Sequence, residues 1–400
     1  MSNVPDRIKQ FNKDHLSVMV QIKYKFMAEN MFRFYRGTCH LFYEDLNLAN
    51  TFPHSPLTWI CGDLHLENFG GYRGDNRQVY FDLNDFDEAL LAPATWEVVR
   101  MAASIFVAYN SLKLEQKKAL NMTRQFLKNY SAILSKGKAK YVEPKTSCGI
   151  VANFLTAIND RKQKDLLRKH SVKKKDKLII LMDDQRHFEI DKLLKKDLFH
   201  HITEWMRNNG EMWLHYEVID AVFRLAGTGS VGVKRYVLLL KGLKGRGKYL
   251  LVEMKQAKPS SIQPYINIPQ PHWESEAERV VAIQQRMQNV PSALLSATLF
   301  KGEAYSIQEM QPTRDSVSYK LMKDQYRDVP QLMDDIAMLT ASAQLRSSGR
   351  QGASVSDELI AFGQNNQWQD VILEYAQQYA QQVKKDYKEF LKALEGNFFK

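Results

Sequence analysis

Cysteine is scarce in this 400-residue chain. The three present, Cys39, Cys61 and Cys148, show no C-x-x-C spacing. The sequence therefore suggests neither a zinc site nor a disulfide framework. It also lacks an uncharged apolar run of about 18 residues, so no membrane-spanning helix is expected. Its opening, Met1 to His15, is polar and mixed in charge and has no apolar signal core. No internal repeat is visible, and no low-complexity segment beyond one basic stretch. These absences leave a globular, cytoplasmic protein as the expectation. A secretion address read by a dedicated receptor would not show in such features.

What is there begins with bulk. Hydrophobic residues make up 44% and aromatics 11%, enough for a sizeable core. The length suits two or three domains, or one two-lobed unit. A net charge of +11 with a pI near 9.2 favours acidic partners: nucleotides, nucleic acid or membrane phosphates. Basic residues crowd between Arg161 and Lys177, including Lys173-Lys174-Lys175. A solvated helix face or an exposed insertion is the default reading of such a run. The interleaved aromatics of a single-strand nucleic-acid binder are missing.

Two acidic loops carry the chemistry. Residues 1–50 read mainly as helix, with Val18, Ile22, Met27 and Met31 in helical phase. Pro53 and Pro56 then introduce an apolar strand from Leu57. It runs into Cys61-Gly62-Asp63-Leu64-His65-Leu66-Glu67-Asn68-Phe69-Gly70. Glycines 70, 71 and 74 mark a turn, and Val79-Tyr80-Phe81 leads into Asp82-Leu83-Asn84-Asp85-Phe86-Asp87. Residues 58–82 thus read as a hairpin beside a loop. An Asp can take a proton from a hydroxyl. An Asn and a second Asp can hold Mg2+, which uses few protein ligands and leaves room for phosphates. That combination suits phosphoryl transfer. Arg36, in Phe34-Tyr35-Arg36-Gly37, reads equally well as a phosphate or carboxylate contact and as a structural salt bridge. Pro93 opens an apolar helix, Trp96 to Leu112, whose Trp96 and Arg100 read as packing and anchoring residues.

A glycine-rich stretch follows much later: Gly227, Thr228, Gly229, Ser230, Val231, Gly232. A lone G-x-G-x-x-G is a weak signal. A dinucleotide-binding unit needs a helix straight after it. Here Lys234 to Leu240 reads as a strand, and Tyr249 to Lys255 as the next. A kinase phosphate lid has this strand–turn–strand form with a lysine on the following strand, which places Lys255 on phosphate. Trp273 to Gln288 reads as a helix with Glu274, Glu276 and Glu278 near its start. Glu278 is the first choice to pair with Lys255 and Glu274 the second. The competing reading is a solvated first turn matched to the helix dipole.

These stretches together resemble the DUF2252 family of bacterial proteins, itself similar to the protein-kinase-like superfamily. The acidic motifs resemble those of aminoglycoside and choline phosphotransferases. The resemblance implies Asp63 as the catalytic Asp, with His65 either orienting it or structural. It implies Asn68 and Asp82 as metal ligands, with Asp85 the competitor and Asp87 able to serve if the loop bulges. The family pattern has an Ala-His-Ala-Arg-like element where this chain reads Ala341-Ser342-Ala343-Gln344, so that segment is assigned no site. In an ordinary kinase the glycine lobe precedes the catalytic loop, and here it follows. The fold expected is α+β: a two-lobed, circularly permuted kinase-like fold with helical additions. Residues 1–215 would open the helical catalytic lobe, with a basic insertion at 135–178. Residues 216–312 would form the β-rich nucleotide lobe, ending at a hinge near Glu309. Residues 313–400 would complete the helical lobe.

The function expected is ATP- and Mg2+-dependent transfer of the γ-phosphoryl group to a hydroxyl of an unidentified small-molecule or protein acceptor. The alternatives are transfer of AMP from the same site and a nucleotide-binding pseudokinase acting on a partner. Nucleic-acid binding driven by the positive charge is a weaker fourth.

Overall fold

Four helices open the chain, α1 (Val4–Asn12), α2 (Ser17–Ala28), α3 (Met31–Gly37) and α4 (Cys39–Leu48). They belong to a computed structural model that describes residues 3–49, 52–175, 177–183, 186–226, 232–243 and 249–399. Next come β1 (Leu57–Ile60), β2 (Phe69–Arg73), β3 (Val79–Leu83) and β4 (Leu90–Pro93). Helices α5 (Ala94–Ser111), α6 (Gln116–Leu134), α7 (Gly149–Asn159) and α8 (Gln163–His170) lead to β5 (Ser171–Lys174), β6 (Lys177–Ile180) and β7 (His187–Phe188). Then follow α9 (Lys192–Asn208), β8 (Tyr216–Arg224), β9 (Arg235–Gly242), β10 (Tyr249–Gln256) and α10 (Glu276–Met287). The chain ends with β11 (Ser296–Phe300), β12 (Glu303–Glu309), β13 (Asp315–Ser316), α11 (Leu321–Asp324), α12 (Val329–Ser347), α13 (Ser356–Gln364) and α14 (Trp368–Glu395). The fold is α+β, and no helix among the described residues is long and apolar enough to cross a membrane.

The largest core is helical. In α5 nearly every residue from Ala94 to Tyr109 is buried, so the helix is enclosed by neighbours rather than amphipathic. It packs on α6, α14 and α3, while α12 packs on α6. Small sheets line one side of this core. β1 pairs antiparallel with β4, and β2 with β3. The expected hairpin is therefore the 69–83 ribbon, and the Leu57 strand lies outside it.

The second part is a six-stranded antiparallel sheet, in the order β11-β12-β10-β9-β8-β7. Its strands alternate as the pleat requires. Tyr236, Leu238, Val252, Met254, Tyr305 and Ile307 join Leu198, Ile202, Trp205 and Met206 of α9 in one core. Val237, Leu239 and Leu251 point the other way, against Ile180, Leu166 and Leu167. The sheet thus recruits elements ahead of residue 216: β7, α9, and the α8–β6 segment.

Candidate functional site

The loop after β1 turns at Gly62, where φ is +86° and an added Cβ would stand 2.3 Å from the Glu88 carbonyl oxygen. Glycine alone meets both the left-handed backbone and the close approach. Three helices fix this turn. The Tyr43 hydroxyl donates to the Gly62 carbonyl, and Glu97 accepts the Cys61 N–H at 2.6 Å. The Gln344 amide reaches the other Glu97 oxygen at 3.0 Å. Gln344, in the segment assigned no site, thus supports the Asp63 loop indirectly.

Asp63 follows the turn. Arg100, fully buried, donates through Nε and Nη2 to Asp63 Oδ1 at 3.1 and 2.8 Å. Its guanidinium also sits 3.5 Å over the Tyr35 ring and donates to the Tyr35 carbonyl at 2.9 Å. Removing one partner of so buried a pair costs about 3–5 kcal/mol. His65 lies beyond the other oxygen, Nε2 to Asp63 Oδ2 at 3.8 Å. His65 Nδ1 accepts the Glu67 N–H at 3.1 Å, which leaves the proton of the neutral ring on Nε2, toward Asp63. Burial, then the charges of Arg36 and Arg100, pushes His65 well below the usual histidine range, so the ring is neutral. Arg36 itself is bound to Glu67 at 2.5 Å.

Asn68 laces the two acidic loops together. Its carboxamide oxygen accepts the N–H groups of Asn84 and Asp85 at 3.2 and 2.8 Å. Its nitrogen donates to the carbonyls of Asp63 and Asp85, both at 3.2 Å. The oxygen expected on a metal is therefore engaged by backbone. Asp82 is not brought to the cleft. It still belongs to β3, opposite Gly70, and its buried carboxylate pairs with Arg346 at 3.2 Å and accepts the Asn289 N–H at 3.0 Å. The residues at the cleft are Asp85 and Asp87, past the strand end. Lys255 Nζ is 3.6 Å from Asp85 Oδ1 and forms a closer ion pair with Asp87.

Lys255 thus meets carboxylates of the second loop and not those of α10. Glu278 is occupied at the helix start: Ser275 accepts its N–H, and its own carboxylate accepts the Glu274 N–H at 2.7 Å. Ser275 thus caps the helix, and the Glu278 carboxylate ties down the residue before the cap. What α10 sends to the loop is Arg279, which donates to the carbonyls of Asp87 and Lys258 at 3.0 and 2.9 Å and to that of Ala89. Glu309, at the end of β12, pairs with Arg77 at 2.5 Å. Of the glycine stretch, Gly227, Thr228, Gly229 and Ser230 lie outside the described residues. Gly232 has a φ of +113°, and a Cβ there would stand 2.8 Å from the His15 ring.

Two cavities flank this centre and share Arg36 and Asp85 in their walls. The outer one, about 270 Å³, holds Asp63, Asp85 and Asp87 with Phe11, Lys23 and Val233. The inner one, about 540 Å³, lies against the sheet. There Glu253 and Lys255, two apart on β10, share a face with Arg235, the cross-strand partner of Lys255. Arg224 binds Glu253 at 2.6 Å, and Arg235 approaches it at 3.5 Å. Arg161, Lys169 and His170 of the basic segment line this chamber, while Lys173 to Lys175 stay exposed. Sequence reasoning left that segment on the surface and gave Arg100 only an anchoring role. The visible signal was charge at Arg224, Arg235 and Glu253 within otherwise apolar strands.

Cleft desolvation raises both Asp85 and Asp87, but Lys255, Arg235 and Arg314 bring Asp85 below the carboxylate range, while the Asp85 charge helps keep Asp87 above it. No group of three or more His, Cys, Asp or Glu side chains able to hold a metal occurs among the described residues. A cation here would have two carboxylates from the protein, a donor set that fits Mg2+ shared with phosphate.

With this geometry in view, comparison places the chain. It belongs to the DUF2252 family, described as an uncharacterized protein conserved in bacteria, whose sequence model matches residues 15–393. No curated protein and no solved structure matches it.

Proposed function

We propose that the chain is an ATP- and Mg2+-dependent transferase that passes a phosphorus group to an acceptor hydroxyl. The observation that carries this reading is the meeting of Lys255 with Asp85 and Asp87, two carboxylates that share a cavity wall with Asp63. A lysine for phosphate, carboxylates for a hard cation and an Asp for the hydroxyl are the parts phosphoryl transfer needs. Arg100 and His65 position Asp63, whose Oδ2 takes or orients the hydroxyl proton. Asp85 and Asp87 would hold Mg2+, which would neutralise phosphate charge.

The fold proposed for this chemistry is a kinase-like pair of lobes in permuted order. Its support is that Gly232 and Val233, the described end of the glycine stretch, reach His15 and the Asp63 cavity. The two ends of the chain also touch: Lys9 Nζ and Gln21 Nε2 donate to the Phe398 and Phe399 carbonyls at 3.1 and 2.5 Å. Closeness of the ends is what permutation requires. γ-Phosphoryl transfer is the direct reading and releases ADP. AMP transfer, releasing pyrophosphate, is the second, and the charged sheet face beside Lys255 favours it.

Calorimetry with ATP, with and without Mg2+, tests the proposal. Metal-dependent binding is expected in the wild type, weakened about tenfold or more by Asp87→Asn. Asp82→Asn, away from the cleft, should leave affinity unchanged. A folded sample that binds no nucleotide ends the reading.

A further inference from the structure

The inner chamber carries more positive charge than its own carboxylates balance. Among the described residues its wall has eight Lys and Arg side chains against five Asp and Glu. Arg224 and Arg235 converge on the single carboxylate of Glu253. Arg314 turns to neutral acceptors, Gln308 Oε1 and the Asn84 carbonyl, the latter at 3.3 Å. Burial, with the charge of neighbouring arginines, pushes Arg224 and Arg314 below the ordinary arginine range. Arg36 Nε and His170 Nδ1, both on residues lining the chamber, are buried without a hydrogen-bond partner. Crowded guanidinium groups in a concave site are complementary to phosphate, which accepts their paired N–H groups. A purine laid on this face would meet Glu253 and arginines where base pockets are mostly apolar.

We infer that the inner chamber binds a chain of phosphates, and that the nucleotide lies with its terminal phosphates among Arg224, Arg235 and Arg314 and its α-phosphorus at Lys255. The orientation rests on the reading above that the site takes a nucleotide. The basic segment, through Arg161 and Lys169, forms part of the phosphate wall. The nucleoside then points to the outer cavity. In the reaction the acceptor oxygen bonds to the α-phosphorus, and the bond from that phosphorus to the α–β bridging oxygen breaks. Pyrophosphate leaves with that electron pair, and Asp63 takes the hydroxyl proton. The product is an adenylylated acceptor.

Inorganic polyphosphate offers the same chemistry as the nucleotide tail, and binding separates the two sources. The probes are tripolyphosphate, ATP and AMP, each with Mg2+, measured by calorimetry on the full chain and on Arg314→Gln. Lys169→Gln, on an exposed side chain of α8, serves as the variant that keeps the fold. Tripolyphosphate should bind the wild type and compete with ATP. Arg314→Gln should weaken both about tenfold and Lys169→Gln both by a smaller factor, while AMP changes less than about twofold. Equal weakening of AMP and ATP would overturn the orientation and leave the transferase reading standing. Failure of tripolyphosphate to bind, with ATP bound, would overturn the chamber assignment alone. Tripolyphosphate bound without ATP would keep the phosphate site, assign it to inorganic chains and end the nucleotide reading.

Discussion

Lys23 shows how strongly single residues are constrained around this cleft. Its side chain lines the outer cavity and is 1% exposed, with Nζ donating to Asn12 Oδ1 at 2.9 Å. Burial holds its pKa down to about 8. An unfolded lysine titrates near 10.4. Between those values the unfolded chain binds the extra proton, so this group makes stability rise with pH. Lys23→Met lacks that contribution. Urea unfolding should show the wild type gaining about 2 kcal/mol on the variant between pH 8 and 10. Identical slopes for the two would show that Lys23 titrates normally in the fold.

At the scale of the element, α10 uses its acidic first turn for its own cap. Glu278 closes the helix start with Ser275 and Glu274 and does not reach Lys255. Glu278→Ala should cost about 1 kcal/mol of stability, as loss of a cap does, and leave nucleotide affinity unaltered. An affinity loss with unchanged stability would instead return Glu278 to the lysine. The sequence made the elements legible because their periodicity is local. The Leu57 strand, the Tyr249–Lys255 strand and the apolar helix from Trp96 all occur where their apolar pattern puts them. Their partners were less legible. A run of carboxylates does not say which one passes the strand end, so the resemblance put Asp82 ahead of Asp85. Their placement depended on Arg346, 264 residues away in sequence, burying Asp82. Likewise the sequence offered Glu278 and Glu274 to Lys255, and only the folded chain brings Asp87 to it.

For the whole molecule, the proposed site depends on joining two cores. The helical core supplies Asp63 through Arg100, Glu97 and Gln344. The sheet supplies Lys255, Arg224 and Arg235. The acidic loop bridges them, held by Asn68 on one side and Arg279 on the other. The basic segment looked like a solvated insertion because composition carries no direction. Folded back on the sheet, it faces the charged stripe with Arg161 and Lys169.

The central claim is that these two parts form one binding site, and a double-mutant cycle tests it most directly. Mg2+-ATP affinity would be measured for wild type, Lys255→Met, Asp87→Asn and the double variant. The account predicts that each single change weakens binding about tenfold. It also predicts that the double loss departs from the product of the two by about fivefold, near 1 kcal/mol of coupling. Losses that simply multiply, or a single variant with unchanged affinity, would contradict it.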